Sequence, residues 1–245
     1  MPVVVVTGAA GGLGRVYSLA LAREGYAVVA ADLADPTPVV AEVERAGGAC
    51  LGVTVDVSQE ESTRAMAAAA LDHFGRIDAL VNNAAYYTAI VKKPFDELTL
   101  EEWDRCFAVN VRGTWLCCRA VALAMREQRA GRIVNISSTT VPTGADGFLH
   151  YVASTAAIVG LPRSLARALG EWNVTVNTVT PDYVAFDRDY DDRQPGLAAV
   201  LAQQRCLKRE LAPEDMVGTI LFLLGPGSAF VTGQNFHVNG GRVFQ

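Results

Sequence analysis

Val3-Val4-Val5-Val6-Thr7-Gly8-Ala9-Ala10-Gly11-Gly12-Leu13-Gly14 is the stretch that decides the fold. Four consecutive valines read as a short strand covered on both faces. Gly8 ends that strand, and Gly12 and Gly14 open a segment, 14–24, with apolar residues at helical spacing. Glycines in such a turn let the backbone approach a ligand, because no Cβ stands in the way. The helix that follows offers its first N–H groups and its positive dipole end, the setting in which a pyrophosphate binds. A glycine cluster by itself is also an ordinary turn. The strand before it and the helix after it give this one its weight.

The same alternation continues to the end of the chain. Strand-length apolar runs fall at 27–31, 50–55, 79–81, 132–136, 174–179 and 234–238. Helical patterns fill 39–46, 59–74, 100–129, 151–169 and 214–224. Strands that are apolar throughout imply a parallel sheet with helices on both faces and right-handed crossovers. The expected fold class is α/β, a doubly wound parallel sheet in a single domain over 1–245, binding its ligand at the carboxyl ends of the strands. No linker or repeat divides it. The least regular part is 186–210, which begins with Phe186-Asp187-Arg188-Asp189-Tyr190-Asp191-Asp192-Arg193. It reads either as a substrate lid followed by a helix or as a solvated surface excursion.

Composition excludes several classes. Apolar residues make up 51% of the chain and are spread along it, which argues against disorder. The net charge of -5 is mixed in sign, with no basic stripe for nucleic acid and no polybasic patch for a membrane surface. No apolar run approaches the ~20 residues of a spanning helix. No signal peptide is expected either. The five cysteines are odd in number and form no C-x-x-C pair, and adjacent Cys117 and Cys118 cannot both face one metal from a helix. No metal site is expected. Buried free thiols in a cytoplasmic protein are.

Asp32 ends the second strand, eighteen residues after Gly14. A carboxylate there accepts hydrogen bonds from both hydroxyls of an adenosine ribose and repels a 2′-phosphate, favouring NAD(H) over NADP(H). No arginine lies between Gly25 and Val39 to favour the phosphate. A helix cap or a surface Asp is the plainer alternative.

Further along, Asn110 closes Phe107-Ala108-Val109-Asn110, and Tyr151 follows Ser138 by thirteen residues. Singly, these are a buried Asn, a turn Ser and a packed Tyr. Together with the glycine turn, they make the chain resemble the short-chain dehydrogenase/reductase family from Val3 to about Gly241. The resemblance implies a Rossmann-type fold and a nicotinamide enzyme. It implies that Tyr151 gives or takes the hydroxyl proton, Ser138 polarises the substrate oxygen and Asn110 supports the proton relay. Asp56 and Val57 match the family's adenine-contact pair. Asn82-Asn83-Ala84-Ala85 matches its Asn-Asn-Ala-Gly turn, with Ala85 in place of Gly. The cofactor-binding set expected on this basis is Gly8, Gly12, Leu13, Gly14, Asp32, Asp56, Val57, Asn83, Tyr151, Thr155 and Pro181.

The chain departs from the family pattern in two places. Thr155 stands one helical turn after Tyr151, where the family carries the Lys that binds ribose and lowers the Tyr pKa. A threonine hydroxyl can still reach ribose through water, but it carries no charge. If losing the cation raises the phenol by about two pKa units, the penalty is about 2.7 kcal/mol. His150, Lys92, Lys93 and Arg163 are the candidate substitute charges. Second, Pro181-Asp182-Tyr183-Val184-Ala185-Phe186 replaces the usual Pro-Gly and a later Thr. That adds the Asp182 charge near the nicotinamide end and puts Phe186 where a hydroxyl is usual. The readings left open are a slow or rerouted dehydrogenase, a non-redox isomerase, lyase or cyclase on the same scaffold, and an impaired binding protein.

Tyr86-Tyr87-Thr88, 139–148 and 183–186 should line the substrate end. They are rich in aromatic and small residues, which suggests an aromatic or apolar small-molecule carbonyl or alcohol. The expected activity is NAD(H)-dependent interconversion of an alcohol with a ketone or aldehyde, with Ser138, Tyr151, Asn110 and Thr155 as the catalytic set. The resemblance further implies a homotetramer, or a homodimer, built on the helices around 103–128 and 151–169.

Overall fold

The computed structural model describes residues 1–185 and 194–244. Among these, seven strands form one sheet in the order β3-β2-β1-β4-β5-β6-β7. They are β1 (Val3–Thr7), β2 (Ala27–Asp32), β3 (Cys50–Thr54), β4 (Ala79–Asn82), β5 (Gly131–Ile136), β6 (Val174–Pro181) and β7 (Asn235–Val238). Every neighbouring pair is parallel. The strand order reverses between β1 and β4. There the chain leaves a crevice at the carboxyl ends, and a doubly wound sheet binds its ligand in such a crevice.

The valines of β1 show why the sheet needs both faces covered. Side chains alternate along a strand. Val3 and Val5 join one core with Met66, Ala70, Cys117, Cys118, Val121 and Met125. Val4 and Val6 join the other with Leu13, Tyr17, Leu21, Val39, Ile220 and Leu223. The first core is closed by α3 (Glu60–Phe74), α5 (Thr114–Gln128) and α7 (Leu149–Leu169). The second is closed by α1 (Gly12–Arg23), α2 (Thr37–Arg45) and α9 (Val217–Leu224). Each fully buried valine contributes roughly 1.5–3 kcal/mol over exposure. A charge at Val5 would have nowhere to reach water.

Local chemistry sets the helix ends. Thr99 caps α4 (Leu100–Phe107) with a capping box, accepting from the Glu102 N–H while Glu102 reaches back to the Thr99 N–H. Gly75 ends α3 in the left-handed region at φ 74°. The remaining short helices are α6 (Thr140–Thr143) and α8 (Leu197–Gln204).

Expectation and structure differ in one helix. The pattern over 100–129 predicted an almost unbroken α-helix. Instead, α4 and α5 are joined by one π-helical turn, Ala108–Gly113, which holds Asn110. Neither Pro nor Gly marks it before Gly113. Such turns recur at functional sites. The helix expected after the irregular segment is α8. The expected lid itself, with Phe186, falls largely on 186–193, outside the described residues.

Candidate active site

The turn after β1 is a main-chain construction. Gly8 has φ 67° and Gly12 φ 50°, conformations that L side chains rarely adopt. A Cβ on Gly8 would meet Ala84 Cα at 2.9 Å, and one on Gly14 would run into the Gly8 carbonyl oxygen. Gly14 is therefore glycine for packing and is absent from the cleft wall, whereas the sequence placed it with the ligand-approach glycines. At Gly11 a Cβ would meet only open space. Gly11 is the N-cap of α1 and brings no side-chain cap, so the first N–H groups of α1 stay available to an anion.

Asn83 locks this turn. Its Nδ2 donates to the Thr7 and Gly8 carbonyls, both at 3.1 Å. Thr7 Oγ1 accepts from the Asn83 and Ala84 N–H groups. Asn82 lies beneath, with its Nδ2 donating 2.8 Å to Asn135 Oδ1 on the next strand. Asp32 caps two loops, accepting from Ala10 N at 2.8 Å through Oδ2 and from Ala34 N at 2.9 Å through Oδ1. Each carboxylate oxygen keeps a second lone pair for a ribose hydroxyl. Asp56 caps its own turn through Ser58. These residues fit a dinucleotide: the glycine cradle leaves room for a pyrophosphate, and Asp32, at the end of β2, keeps lone pairs that would take ribose hydroxyls.

A cleft of about 1090 Å³ runs from Gly8, Gly11, Gly12, Leu13 and Asp32 at one end to Ser138 and Tyr151 at the other. Asp56, Val57, Asn83, Asn110, Thr155 and Pro181 also line it. The sequence-predicted residues thus meet in one cavity, Gly14 excepted.

Ser138 is held from both sides. Ser137 Oγ donates 2.9 Å to the Thr155 carbonyl on α7, and Thr139 N donates 2.9 Å to the Pro181 carbonyl at the end of β6. Thr140 donates to Ser138 Oγ twice, from its N–H at 3.2 Å and its hydroxyl at 2.9 Å. Both lone pairs of Ser138 are then occupied, and its own O–H is what it can offer a ligand. Tyr151 is buried in an aromatic wall, with ring centroids 5.1 Å from Tyr87 and 5.3 Å from Phe148. Asn110 ties loop to helix: Oδ1 accepts from Tyr86 N at 2.7 Å, and Nδ2 donates to Ser154 Oγ at 3.0 Å. Its side chain is engaged with protein groups on α7 and the Tyr86 loop.

Thr155 does not turn toward the ribose position. Its hydroxyl donates back along α7, 2.9 Å to the Tyr151 carbonyl and 3.2 Å to that of Val152. A threonine inside a helix has this bond at hand. Of the candidate substitute cations, Lys93 pairs with Glu102 at 2.6 Å. Burial, the largest cause, lowers the His150 pKa and favours the neutral ring. Arg163 is not part of the cleft wall, and Lys92 is.

Asp182 corrects another expectation. Its carboxylate does not stand as a bare charge at the reacting end, because two arginines hold it. Arg205 reaches Oδ2 with Nε at 2.9 Å and Nη2 at 2.8 Å, and Arg242 Nη1 reaches Oδ1 at 2.6 Å. The Asp182 and Arg205 side chains are each only 2% exposed. Arg205 also donates to the Tyr183 and Arg209 carbonyls, so no guanidinium face is left idle.

The expected aromatic lining is present in Tyr86, Tyr87, Phe148 and Tyr183. The three loops named for the substrate end contain neither Arg105 nor Arg242, which also line the cleft. For Arg105 a signal existed: it precedes Val109, another lining residue, by one helical turn. The cysteines are all free, but only Cys106, Cys117 and Cys118 are buried, Cys206 being exposed. Burial pushes the Cys118 thiol up to about 12.

The sheet, its crevice and the glycine turn define a doubly wound nucleotide-binding α/β protein. Comparison with known proteins narrows this. The family profile described as "Enoyl-(Acyl carrier protein) reductase" matches residues 8–242. A 3-oxoacyl-[acyl-carrier-protein] reductase of Synechocystis sp. is 36% identical over 98% of this chain and 96% of that protein. A short-chain reductase of Streptomyces niveus is 37% identical over 98% and 93%. Among solved structures, a 7α-hydroxysteroid dehydrogenase complexed with NADH and 7-oxo glycochenodeoxycholic acid superposes with TM-score 0.92 at 29% identity, covering 100% of this chain and 95% of that one. Levodione reductase gives TM-score 0.92 at 27% identity over 98% and 97%. The chain belongs to the short-chain dehydrogenase/reductase family, and its relatives are oxidoreductases.

Proposed function

We propose that this protein interconverts an alcohol with a ketone or aldehyde using NAD(H), on an aromatic or apolar small molecule. The observation that carries the reading is one cavity holding the glycine cradle and Asp32 at one end and Ser138 with Tyr151 at the other. Hydride transfer is the chemistry a bound nicotinamide supplies. In the reducing direction, Tyr151 donates its phenolic proton to the carbonyl oxygen. Ser138 donates a hydrogen bond to the same oxygen, its lone pairs being occupied by Thr140. Asn110 fixes the Tyr86 loop and α7 around them.

Asp32 supports NAD over NADP, since a 2′-phosphate would meet its charge. Arg15, the cation in the first turn of α1, is engaged by Glu42 through Nε at 3.1 Å and Nη2 at 2.5 Å. The assembly proposed is a homotetramer or a homodimer, for which Trp115 and Leu123 on α5 and Phe230 offer exposed apolar surface. No helix among the described residues is long and apolar enough to cross a membrane. The cytoplasm is the compartment proposed.

One observation favours the second reading, a non-redox enzyme on this scaffold: the Thr155 hydroxyl faces its own helix and puts no cation beside Tyr151. NADH absorbance and product analysis, followed for a panel of aromatic ketones, separate the two. NADH oxidation coupled to alcohol formation is expected, rising about a hundredfold in Thr155→Lys if two pKa units are regained. Substrate conversion with NADH untouched would decide for the second reading.

A further inference from the structure

Among the described residues, two cations in the wall of the tyrosine end have no carboxylate partner. Lys92 and Arg105 both line the cleft. Among the described residues neither belongs to an ion pair, while Arg242 is held by Asp182 and Lys93 by Glu102. Each lies over an aromatic ring of the same wall. Lys92 Nζ is 5.2 Å from the Phe148 ring centroid, and the Arg105 guanidinium is 5.5 Å from that of Tyr86. The polar partner of Lys92 is neutral, Gln194 Oε1 at 2.5 Å.

The fold brings the chain segments that carry the two together. The Lys93–Glu102 pair fastens the 92–93 loop to α4, and Arg105 follows Glu102 by three residues, one turn along the same helix. On its other side the loop rests on the turn before Phe148. Lys93 N donates to Gly147 O, and a Cβ on Gly147 would meet Lys92 Cβ at 2.9 Å. A guanidinium or ammonium on a ring face keeps its field while losing some water, and unpaired like charges at a cleft mouth concentrate an opposite charge there. Asp146 also lines the cleft, and it makes no ion pair with either cation. The chain as a whole is acidic, at -5, so general charge does not explain two cations without an ion pair among the described residues here.

We infer that the substrate carries an oxyanion, a carboxylate or phosphate, that docks against Lys92 and Arg105 while its aromatic body packs on Tyr86, Tyr87 and Phe148. That its carbonyl or alcohol then lies at Ser138 and Tyr151 rests on the redox reading above.

The test uses three probes on the full chain with NADH: benzoylpropionate, its methyl ester and phenacyl phosphate. Calorimetric affinity and NADH oxidation are read for each. Benzoylpropionate is expected to bind at least about tenfold more tightly than the ester, as for a hydrogen bond to a charged group. That ratio shrinks in Lys92→Gln and in Arg105→Gln and falls to about one when both are substituted. A phosphate that outbinds the carboxylate identifies the phosphate source, and the reverse order identifies the carboxylate. Equal affinity for acid and ester, or a preference that survives both substitutions, overturns the inference. Acid and ester reduced equally well would leave the redox reading standing without the anion site. Acid-selective binding with no NADH oxidation would leave the anion site standing without the redox reading.

Discussion

Around Gly8 the cleft wall is main chain: glycines at positive φ, N–H groups at the head of α1, and Asn83 bonded to two carbonyls. Around Tyr151 it is side chain: tilted and edge-on rings, a serine whose lone pairs are taken, a threonine turned aside and an aspartate between two arginines. At the first end Gly8 and Gly14 tolerate no added Cβ, because it strikes backbone, although Gly11 faces open space. The second can be retuned one side chain at a time. Thr155 and Asp182, two departures from the family pattern, are at the second end.

The contrast can be broken most sharply at Tyr151. Tyr151→Phe removes the proton and keeps the ring, so kcat should fall by about 10²- to 10⁴-fold. Melting temperature and NADH affinity, measured in parallel, should move little. A variant that turns over at the native rate would remove Tyr151 from the chemistry. Next comes Arg205→Met, which leaves Asp182 buried with Arg242 alone. Urea unfolding should show a loss of about 3 kcal/mol, the lower end for an opened buried ion pair. Gly14→Ala tests the main-chain end: the added carbon pushes on the Gly8 carbonyl, costing about 2 kcal/mol in stability. NADH affinity should drop with it, and an unchanged affinity would separate the turn from coenzyme binding.

The smallest effect concerns pH. The Lys93 side-chain hydrogen bond, then the Thr99 backbone and side chain, hold the Glu102 carboxyl down to about 2. A depressed folded-state pKa stabilises above the unfolded value, near ~4.3, and that contribution is lost as pH falls toward 2. Melting temperatures of the native chain and Glu102→Gln should therefore differ at neutral pH and converge in acid. A gap that persists in acid would assign the capping box to packing.

The two ends also differed in how far the sequence revealed them. The glycine turn and its flanking strand and helix were legible because local backbone geometry demands those residues there. Asp32 was singled out by its place at the end of the second strand, and Ser138 and Tyr151 by the family resemblance. The Asp182 environment was not, since its arginines lie 23 and 60 residues away and no local pattern brings them back. Arg105 was not singled out, because no motif marks it within the helical pattern over 100–129. Thr155 was half legible: the missing charge shows in the sequence, while the direction of its hydroxyl emerges only once α7 is built.

The π turn at Ala108–Gly113 fits one extra residue between α4 and α5. Each residue advances an α-helix by about 100°, and a π turn spends one more residue on nearly the same rotation. Deleting one residue, Val111 for instance, would therefore let α4 run straight into α5 with little change of azimuth. Cys117, Cys118 and Val121 would keep their seats on the sheet, while Asn110 would lose its aim at Tyr86 and Ser154. A one-codon deletion there should spare the packing of the fifteen-residue α5 and fall on the wall around Tyr151.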